Sequence, residues 1–222
     1  MYPVPSVSRM NKNRKTMVVF DTYGPYLVVG MPKCTNSKGM KIELGPVSAL
    51  CRCGGSGDKP FCDGTHSKIG FAGTKDPDRR EDKVIEFKGK EITIFDNRGV
   101  CSADGACIRE SPEVFQKDKK PMWIFPDEGE VRMTVETIEK CPSGALSYAI
   151  GTQRIQDLDR EPSIKVAKNG PLEFVGWIEL VDDQENKPES KEHYTLCRCG
   201  ASKNKPFCDN SHKKIDFNDD KN

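Results

Sequence analysis

The chain has 222 residues, of which 35 are basic and 34 acidic, and this near-zero net charge gives no reason to expect a nucleic-acid or membrane partner. No apolar stretch approaches the roughly 20 residues that cross a bilayer, and the amino terminus lacks the apolar run of a signal peptide. We therefore predict a cytoplasmic protein, in which the ten cysteines are more suited to metal binding than to disulfides.

The first part of the chain predicts a small module over residues 16–78, preceded by a basic tail, residues 1–15, that we expect to be disordered. The segment "TMVVFDTYGPYLVVG" predicts two short strands joined by a Gly-Pro turn. A variable loop, a cysteine-rich loop ending in "CDGTH" and a short helix follow. Cys34, in the variable loop, is expected to be a small buried residue.

The polar segment "DPDRRED" leads into a second module over residues 79–152. Here "KVIEFKGKEITIFD" predicts a hairpin that turns at residues 88–90, and "CIRESPEVF" predicts a short helical stretch. "VETIEKC" predicts a helix that stops at Pro142, and "ALSYAI" predicts a strand. The expected core of this module is Ile92, Ile94, Val114, Phe115, Trp123, Ile138 and Leu146.

The last module, residues 153–222, repeats the first. At an offset of 146 residues, 21 of the 48 pairs between residues 24–71 and 170–217 are identical, far more than chance would give. "SIKVAKNGPLEFVGW" predicts the matching hairpin. Asn210 stands where the first copy has Gly64, at a turn that we expect to need positive φ, which Asn tolerates best among side chains. His193 aligns with Val47 and is expected at the surface.

Each copy contains three cysteines and one histidine at the same spacing. Cysteines at i and i+2 of an extended segment point to one side, so one iron can take both thiolates, and the remaining cysteine and histidine suit a second iron. The aspartate after the third cysteine is placed to cap the short helix, which would direct the helix dipole at an anionic centre. The candidate ligands are Cys51, Cys53, Cys62 and His66 in the first copy and Cys197, Cys199, Cys208 and His212 in the second.

Other interpretations of this donor set exist. Three cysteines and one histidine can also hold structural zinc, and cysteines can be simple core residues. The duplicated spacing argues against core cysteines, and a catalytic Cys-His dyad leaves two cysteines of each copy unexplained. Zinc protein is colourless, whereas an iron-sulfur protein absorbs visible light.

The long pattern in both copies, "CRCGGSGDKPFCDGTH" and "CRCGASKNKPFCDNSH", resembles the CDGSH iron-sulfur (NEET-type) family, with a departure from its glycine at Asn210. The family positions also matched are Ser56 and Ser202, Pro60 and Pro206, and Asp63 and Asp209. The resemblance implies one 2Fe-2S cluster in each copy, held by three cysteines and one histidine. A histidine ligand implies a higher potential than four cysteines would give, a potential that falls as pH rises, and cluster loss in acid.

The insert carries three more cysteines within "NRGVCSADGACIRESPEVF" and "KCPSGA". Cys101, Cys107 and Cys141 resemble the ligands of single-cluster bacterial-type ferredoxins, in particular the divergent mono-cluster domain, with Asp104 in place of one cysteine. The resemblance implies a 3Fe-4S cluster, or a 4Fe-4S cluster whose fourth iron is bound by Asp104. That iron would be labile because carboxylate is a harder ligand than thiolate. A solvated loop aspartate is the alternative.

Together these modules predict an α+β protein built of small β-rich iron-sulfur modules. The CDGSH family pairs two units through shared strands, so the resemblance implies an intramolecular pseudo-dimer, with the ferredoxin-like insert beside it, in a monomeric chain. We predict a protein that moves single electrons between redox partner proteins; the alternative is a cluster or iron donor, or a redox or iron sensor. The sequence contains no nucleotide loop, flavin signature or substrate-binding motif, and no catalytic residues are expected, so any catalysis would need a partner protein, with this chain as the electron-transfer subunit of an oxidoreductase system.

Overall fold

A computed structural model describes residues 16–220 and 222, so the predicted tail, residues 1–15, lies outside the described residues. The described chain is rich in short strands and contains only short helices, as the predicted α+β class requires. None of the helices in this part of the chain has the length and apolar character needed to span a membrane.

The elements fall into three groups along the chain. The first group contains β1 (Met17–Phe20), β2 (Tyr26–Val29), β3 (Cys34–Thr35), β4 (Val47–Leu50) and α1 (Thr65–Lys68). The middle group contains β5 (Val84–Lys88), β6 (Thr93–Asn97), a 3-10 helix (Arg98–Val100), α2 (Ala106–Glu110), a 3-10 helix (Pro126–Glu128), α3 (Val131–Glu139), β7 (Leu146–Ile150) and β8 (Gln153–Ile155). The last group contains β9 (Ser163–Val166), β10 (Leu172–Val175), β11 (Glu179–Asp182), β12 (His193–Leu196) and α4 (Ser211–Lys214).

The two predicted repeat hairpins are confirmed, and each lies in a four-stranded sheet whose edge strand comes from the other repeat. In one sheet β1, β2 and β4 are antiparallel neighbours, and β11 pairs in parallel with β1, placing Leu180 opposite Val18. In the other sheet β9, β10 and β12 are antiparallel neighbours, and β3 pairs in parallel with β9, placing Cys34 opposite Ile164. Because the 146-residue offset aligns β3 with β11, the exchange is reciprocal.

The two repeat sheets share one hydrophobic core. Alternate side chains of β1 and β2 are buried, as expected for strands with one face on a core. Both sheets contribute to a single cluster that includes Val18, Tyr26, Val28, Leu50, Ile164, Leu172, Phe174 and Leu196. Neither repeat therefore relies on a core of its own, which is how modules this small reach a stable packing.

The insert has its own sheet, in the order β5-β6-β7-β8, with antiparallel pairing throughout. The predicted hairpin at residues 88–90 is confirmed, and the Gly89 N–H donates to the Ile92 carbonyl at 2.9 Å. The predicted core residues all belong to one buried cluster, with Trp123 packed at its border. β8 falls just beyond the predicted module boundary at residue 152, yet it pairs with β7 of the insert.

Two single-residue expectations had opposite outcomes. Cys34 is buried, as predicted, and burial raises the pKa of its thiol to about 11. The prediction that His193 is a surface residue is wrong, because its relative exposure is only 2% while the aligned Val47 is 57% exposed. The insert covers this part of the second repeat, since a Cβ added at Gly144 would lie 3.0 Å from the His193 carbonyl oxygen.

Candidate metal centres

The first repeat presents its four candidate ligands as two close pairs. The sulfurs of Cys51 and Cys53 are 3.9 Å apart, and the Cys62 sulfur is 3.2 Å from Nδ1 of His66. Two sulfurs bound about 2.3 Å from one tetrahedral ion lie roughly 3.8 Å apart, and a sulfur and a nitrogen bound at about 2.3 and 2.0 Å lie roughly 3.5 Å apart, so each pair is spaced for one metal ion. Within residues 16–220 and 222, no three Cys, His, Asp or Glu side chains surround a single ion position.

The second repeat reproduces this arrangement. The sulfurs of Cys197 and Cys199 are 3.6 Å apart, and the Cys208 sulfur is 3.4 Å from Nδ1 of His212. The structure therefore brings together all eight candidate ligands of the two repeats as four donor pairs. The duplicated geometry follows from the duplicated sequence.

Local backbone structure explains how the donors of the first repeat are placed. Cys51 and Cys53 come just after β4. Successive side chains of an extended chain point to opposite sides, so Arg52, between the two cysteines in sequence, points to the other side, where it is buried and only 2% exposed. Backbone N–H groups then point at the sulfurs: Gly55 N lies 3.4 Å from the Cys53 sulfur and Gly64 N lies 3.4 Å from the Cys62 sulfur. Such donors stabilise a thiolate ligand.

The turn before each short helix is as predicted. Gly64 has φ 84° and ψ 0°, and Asn210 has φ 76° and ψ 2°, so the asparagine adopts the left-handed conformation of the glycine it replaces. The prediction that Asp63 and Asp209 cap the short helices is wrong, because the N-cap residues are Gly64 and Asn210, one position later in the chain. The position is shifted because the left-handed turn adds a residue between the aspartate and the helix.

The aspartates instead tie the start of each helix to the loop behind it. Asp63 accepts a hydrogen bond from Thr65 N at 3.0 Å and another from Gly57 N at 2.8 Å, and these bonds lower the pKa of its carboxyl. Asp209 accepts equivalent bonds from Ser211 N at 3.0 Å and Lys203 N at 2.9 Å.

The insert brings its three cysteines together. Cys101, Cys107 and Cys141 line one small cavity of about 30 Å³ that is partly open to solvent. Burial and, after it, the neighbouring thiolates of Cys141 and Cys101 raise the pKa of the Cys107 thiol to about 12. Three thiolates this close repel one another, and bound cations would relieve that repulsion.

Comparison with known families agrees with this geometry. The family model described as "Iron-binding zinc finger CDGSH type" matches residues 23–67 and 169–213, and the one described as "Divergent 4Fe-4S mono-cluster" matches residues 87–151. The chain belongs to the CDGSH iron-sulfur family. It is an iron-sulfur protein whose two CDGSH units flank a mono-cluster domain.

Curated relatives of this CDGSH protein include "Uncharacterized protein YjdI" from Escherichia coli strain K12 and its counterpart from E. coli O157:H7. Each is 40% identical over 62 residues, which cover 28% of this chain and 80% of the relative. No solved structure matches the chain.

The ligand loops of the two CDGSH units touch each other. Cys53 and Cys199 form an antiparallel bridge, and the glycines that follow them have nearly equal φ angles, 79° at Gly54 and 78° at Gly200. A Cβ at either glycine would overlap the carbonyl group of the cysteine in the other unit. The repeated "CRCG" contains this signal, but sequence reasoning did not assign a role to its glycine.

Asp104 lines the cavity of the mono-cluster domain, but its carboxylate already has partners. Its Oδ1 accepts a hydrogen bond from Ala106 N at 3.0 Å, at the start of α2, and lies 3.3 Å from Nη2 of Arg109. The Arg109 guanidinium also donates to the Asp104 carbonyl oxygen at 2.7 Å. A ligand role for Asp104 stays a prediction.

Sequence reasoning missed Arg98, which lies against a candidate ligand of the mono-cluster domain. Its Nη1 donates to the Cys101 sulfur at 3.2 Å. The guanidinium is held in place by Asp96, at 2.9 Å from Nε, and by the Trp123 ring, whose centroid is 3.5 Å away. A hydrogen bond donated to a ligand sulfur raises the reduction potential of the centre.

Proposed function

We propose that this chain is a three-cluster protein that carries single electrons between redox partner proteins. Each CDGSH unit would hold a 2Fe-2S cluster through its three cysteines and its histidine, and Cys101, Cys107 and Cys141 would hold a 3Fe-4S or 4Fe-4S cluster. When bound, these groups supply reversible one-electron oxidation and reduction. The observation that carries the proposal is the arrangement of eight ligands as four donor pairs, each spaced for one metal ion.

The donor pairs favour a binuclear iron cluster over a single zinc ion. A mononuclear site requires four donors around one ion, whereas here each unit offers one pair from the strand end and one pair from the helix start. The N–H groups of Gly55 and Gly64 stabilise the negative charge on the ligand sulfurs.

We propose that the two units pair with each other as an intramolecular pseudo-dimer. The reciprocal addition of β11 to the first sheet and β3 to the second supports this arrangement, as does the bridge between Cys53 and Cys199. A single chain then provides both halves of the body, which suits a monomer.

In the mono-cluster domain the residues support a labile fourth iron. Oδ1 of Asp104 would have to leave Arg109 and the N-terminus of α2 before it could bind a metal. Among the three cysteines, Cys101 accepts a hydrogen bond from Arg98, and the Cys141 sulfur lies 3.6 Å from the Ser143 hydroxyl.

A second candidate function is donation of clusters or iron, or sensing of iron or redox state. The observation that favours it is the position of His66, which lines a groove open to solvent with Tyr23 and Phe71. An accessible histidine ligand can be protonated and released more easily than a thiolate inside the protein. No catalytic residue is proposed in either case.

Anaerobic purification tests the proposal. We expect visible absorption, iron and sulfide in the amounts that two 2Fe-2S clusters and a 3Fe-4S or 4Fe-4S cluster require, and distinct electron paramagnetic resonance (EPR) signals from reduced 2Fe-2S clusters. Cys62→Ala should remove one 2Fe-2S signal, whereas Cys34→Ala, the matched control at a cysteine outside the centres, should retain all signals. Colourless protein containing zinc would refute the proposal. Rapid transfer of clusters to an apo-acceptor would favour the donor function instead.

A further inference from the structure

The two CDGSH units are repeats of one sequence, yet the structure gives them different surroundings. We propose that they are redox-inequivalent, with the unit at residues 169–213 accepting electrons from the mono-cluster domain and the unit at residues 23–67, at higher potential, delivering them to the outside. This order rests on the proposed electron-transfer function.

The second unit is buried by the mono-cluster domain. Cys208 and His212 are 2% and 6% exposed, whereas the aligned Cys62 and His66 are only partly buried. Reduction adds negative charge to a cluster, and loss of water around it makes that charge less favourable. Burial therefore lowers the potential of the second unit relative to the first.

Two side chains connect the second unit to the loop that carries Cys101. Nδ2 of Asn204, which is 1% exposed, donates to the Gly99 carbonyl oxygen at 3.0 Å. Nζ of Lys213, the neighbour of His212, donates to the Ala103 carbonyl oxygen at 2.6 Å.

These two contacts make the mono-cluster domain and the second unit near neighbours. At the positions aligned with Asn204 and Lys213, the first unit has Asp58 and Ser67, and both are exposed.

The charge around the buried arginine of each unit also favours a lower reduction potential in the second unit. Arg52 and Arg198 occupy the same repeat position, between the paired cysteines, and both are almost fully buried. Arg52 donates to the carbonyl oxygens of Asp21 at 2.5 Å and Gly73 at 3.1 Å, groups that carry no net charge. The Asp183 carboxylate acts on Arg52 through space but forms no direct ion pair with it, so the positive charge of Arg52 is less compensated than that of Arg198.

Arg198 is neutralised by a carboxylate. It donates to the carbonyl oxygens of Gly170 at 2.7 Å and Ala167 at 2.8 Å, and it forms a buried ion pair with Asp219, whose side chain is 1% exposed. A neutral pair stabilises an added electron less than a lone guanidinium does. Burial and charge thus both place the lower potential in the second unit.

The two CDGSH units are in direct contact, which gives a short path for an electron between them. The backbones of Cys53 and Cys199 are in direct contact through their bridge. Tyr26, from the first repeat, donates its hydroxyl hydrogen to the carbonyl oxygens of Cys197 at 2.9 Å and Pro206 at 3.2 Å.

The transfer would move one electron at a time without making or breaking a bond. A one-electron donor protein would supply the electron at the group held by Cys101, Cys107 and Cys141, and the ligands of the second unit would hold the group that takes the electron next. The first unit would receive the electron last, and a one-electron acceptor protein would remove it near the groove beside His66.

The test is a redox titration of the full chain with dithionite and mediators, followed by EPR. His66→Cys and His212→Cys assign the two 2Fe-2S signals, because each variant alters the signal of its own unit. Among molecules that hold one electron on the pair, we expect the electron to lie on the first unit at least about tenfold more often than on the second, which is a potential difference of about 59 mV for a one-electron couple. Equal potentials, or reduction of the second unit first, would overturn the inference.

A charge-neutralising variant provides the second measurement. Asp219→Asn should raise the potential of the second unit and reduce the preference for the first by about threefold or more, because Arg198 loses its counter-charge. Asp220→Asn removes the same charge from an exposed neighbouring position and should leave the preference unchanged. An equal effect of the two variants would contradict the role given to Asp219. Absence of 2Fe-2S signals altogether would instead refute the proposed function.

Discussion

Replacing Gly54 with alanine tests the contact between the two ligand loops. Gly54 and Gly64 have similar backbone conformations, with φ 79° and 84°, so alanine at either position incurs about 1–2 kcal/mol for the left-handed region. At Gly64 a Cβ meets nothing within 4 Å, whereas at Gly54 it overlaps the carbonyl group of Cys199. Gly54→Ala should therefore cost a further 1–3 kcal/mol or so from steric overlap.

The assay is thermal unfolding of the cluster-loaded protein under anaerobic conditions, with cluster absorbance recorded in parallel. For a chain of this size each kcal/mol lowers Tm by roughly 2–4 °C, so Gly64→Ala should lower it by about 2–8 °C and Gly54→Ala by clearly more. Gly64→Asn should be nearly neutral, since Asn210 occupies the same conformation. If Gly54→Ala and Gly64→Ala lower Tm equally, the loops do not touch and the inferred path between the units loses its support.

Four further predictions concern the centres and their surroundings. His66→Cys should lower the potential of the first unit by on the order of 100 mV and slow its bleaching in acid, as measured by redox titration and visible absorbance; an unchanged potential would exclude His66 as a ligand. Arg98→Gln should lower the potential of the mono-cluster centre by roughly 65 mV, equivalent to one charge-assisted hydrogen bond of about 1.5 kcal/mol, and no shift would mean that Arg98 does not donate to the bound centre. Asp104→Cys should convert a labile fourth iron into a stable one, visible in EPR as loss of any 3Fe signal, and will change nothing if residue 104 faces away from the cluster. Burial would raise the pKa of Glu192, but hydrogen bonds from His193 and Arg160 outweigh it and lower this pKa from 4.5 to about 2. The ionised carboxylate therefore stabilises the fold above pH 4.5, and this stabilisation is lost as the pH falls toward 2. Glu192→Gln should thus reduce the acid dependence of the free energy of unfolding over that range, and an unchanged pH profile would show that the carboxylate is not linked to folding.

Local features of the sequence were sufficient to predict the hairpins, the insert core and the turn at Asn210. These features depend on alternation of apolar residues and on backbone conformations that few residue types adopt. Strand exchange between the repeats was expected only through family resemblance, because β3 and β11 are short and their partners lie far away in the chain.

The errors and omissions arise where the insert packs on one repeat only. His193 and Val47 occupy equivalent positions, yet one is buried under the insert and the other is exposed. The contact of Arg98 with the Cys101 sulfur likewise depends on Trp123, which is 22 or more residues away along the chain, so no local pattern indicates it. An alignment of repeats predicts common structure, but the residues that distinguish the two copies must be found in three dimensions.

The reciprocal exchange of β3 and β11 has a consequence for how such a protein can change over evolution. In a symmetric homodimer every substitution occurs twice, so the two halves must remain identical. Here both halves belong to one polypeptide, and each position can vary independently, as Gly64 and Asn210 do. Covalent linkage of the halves thus permits division of labour while the shared core keeps them together.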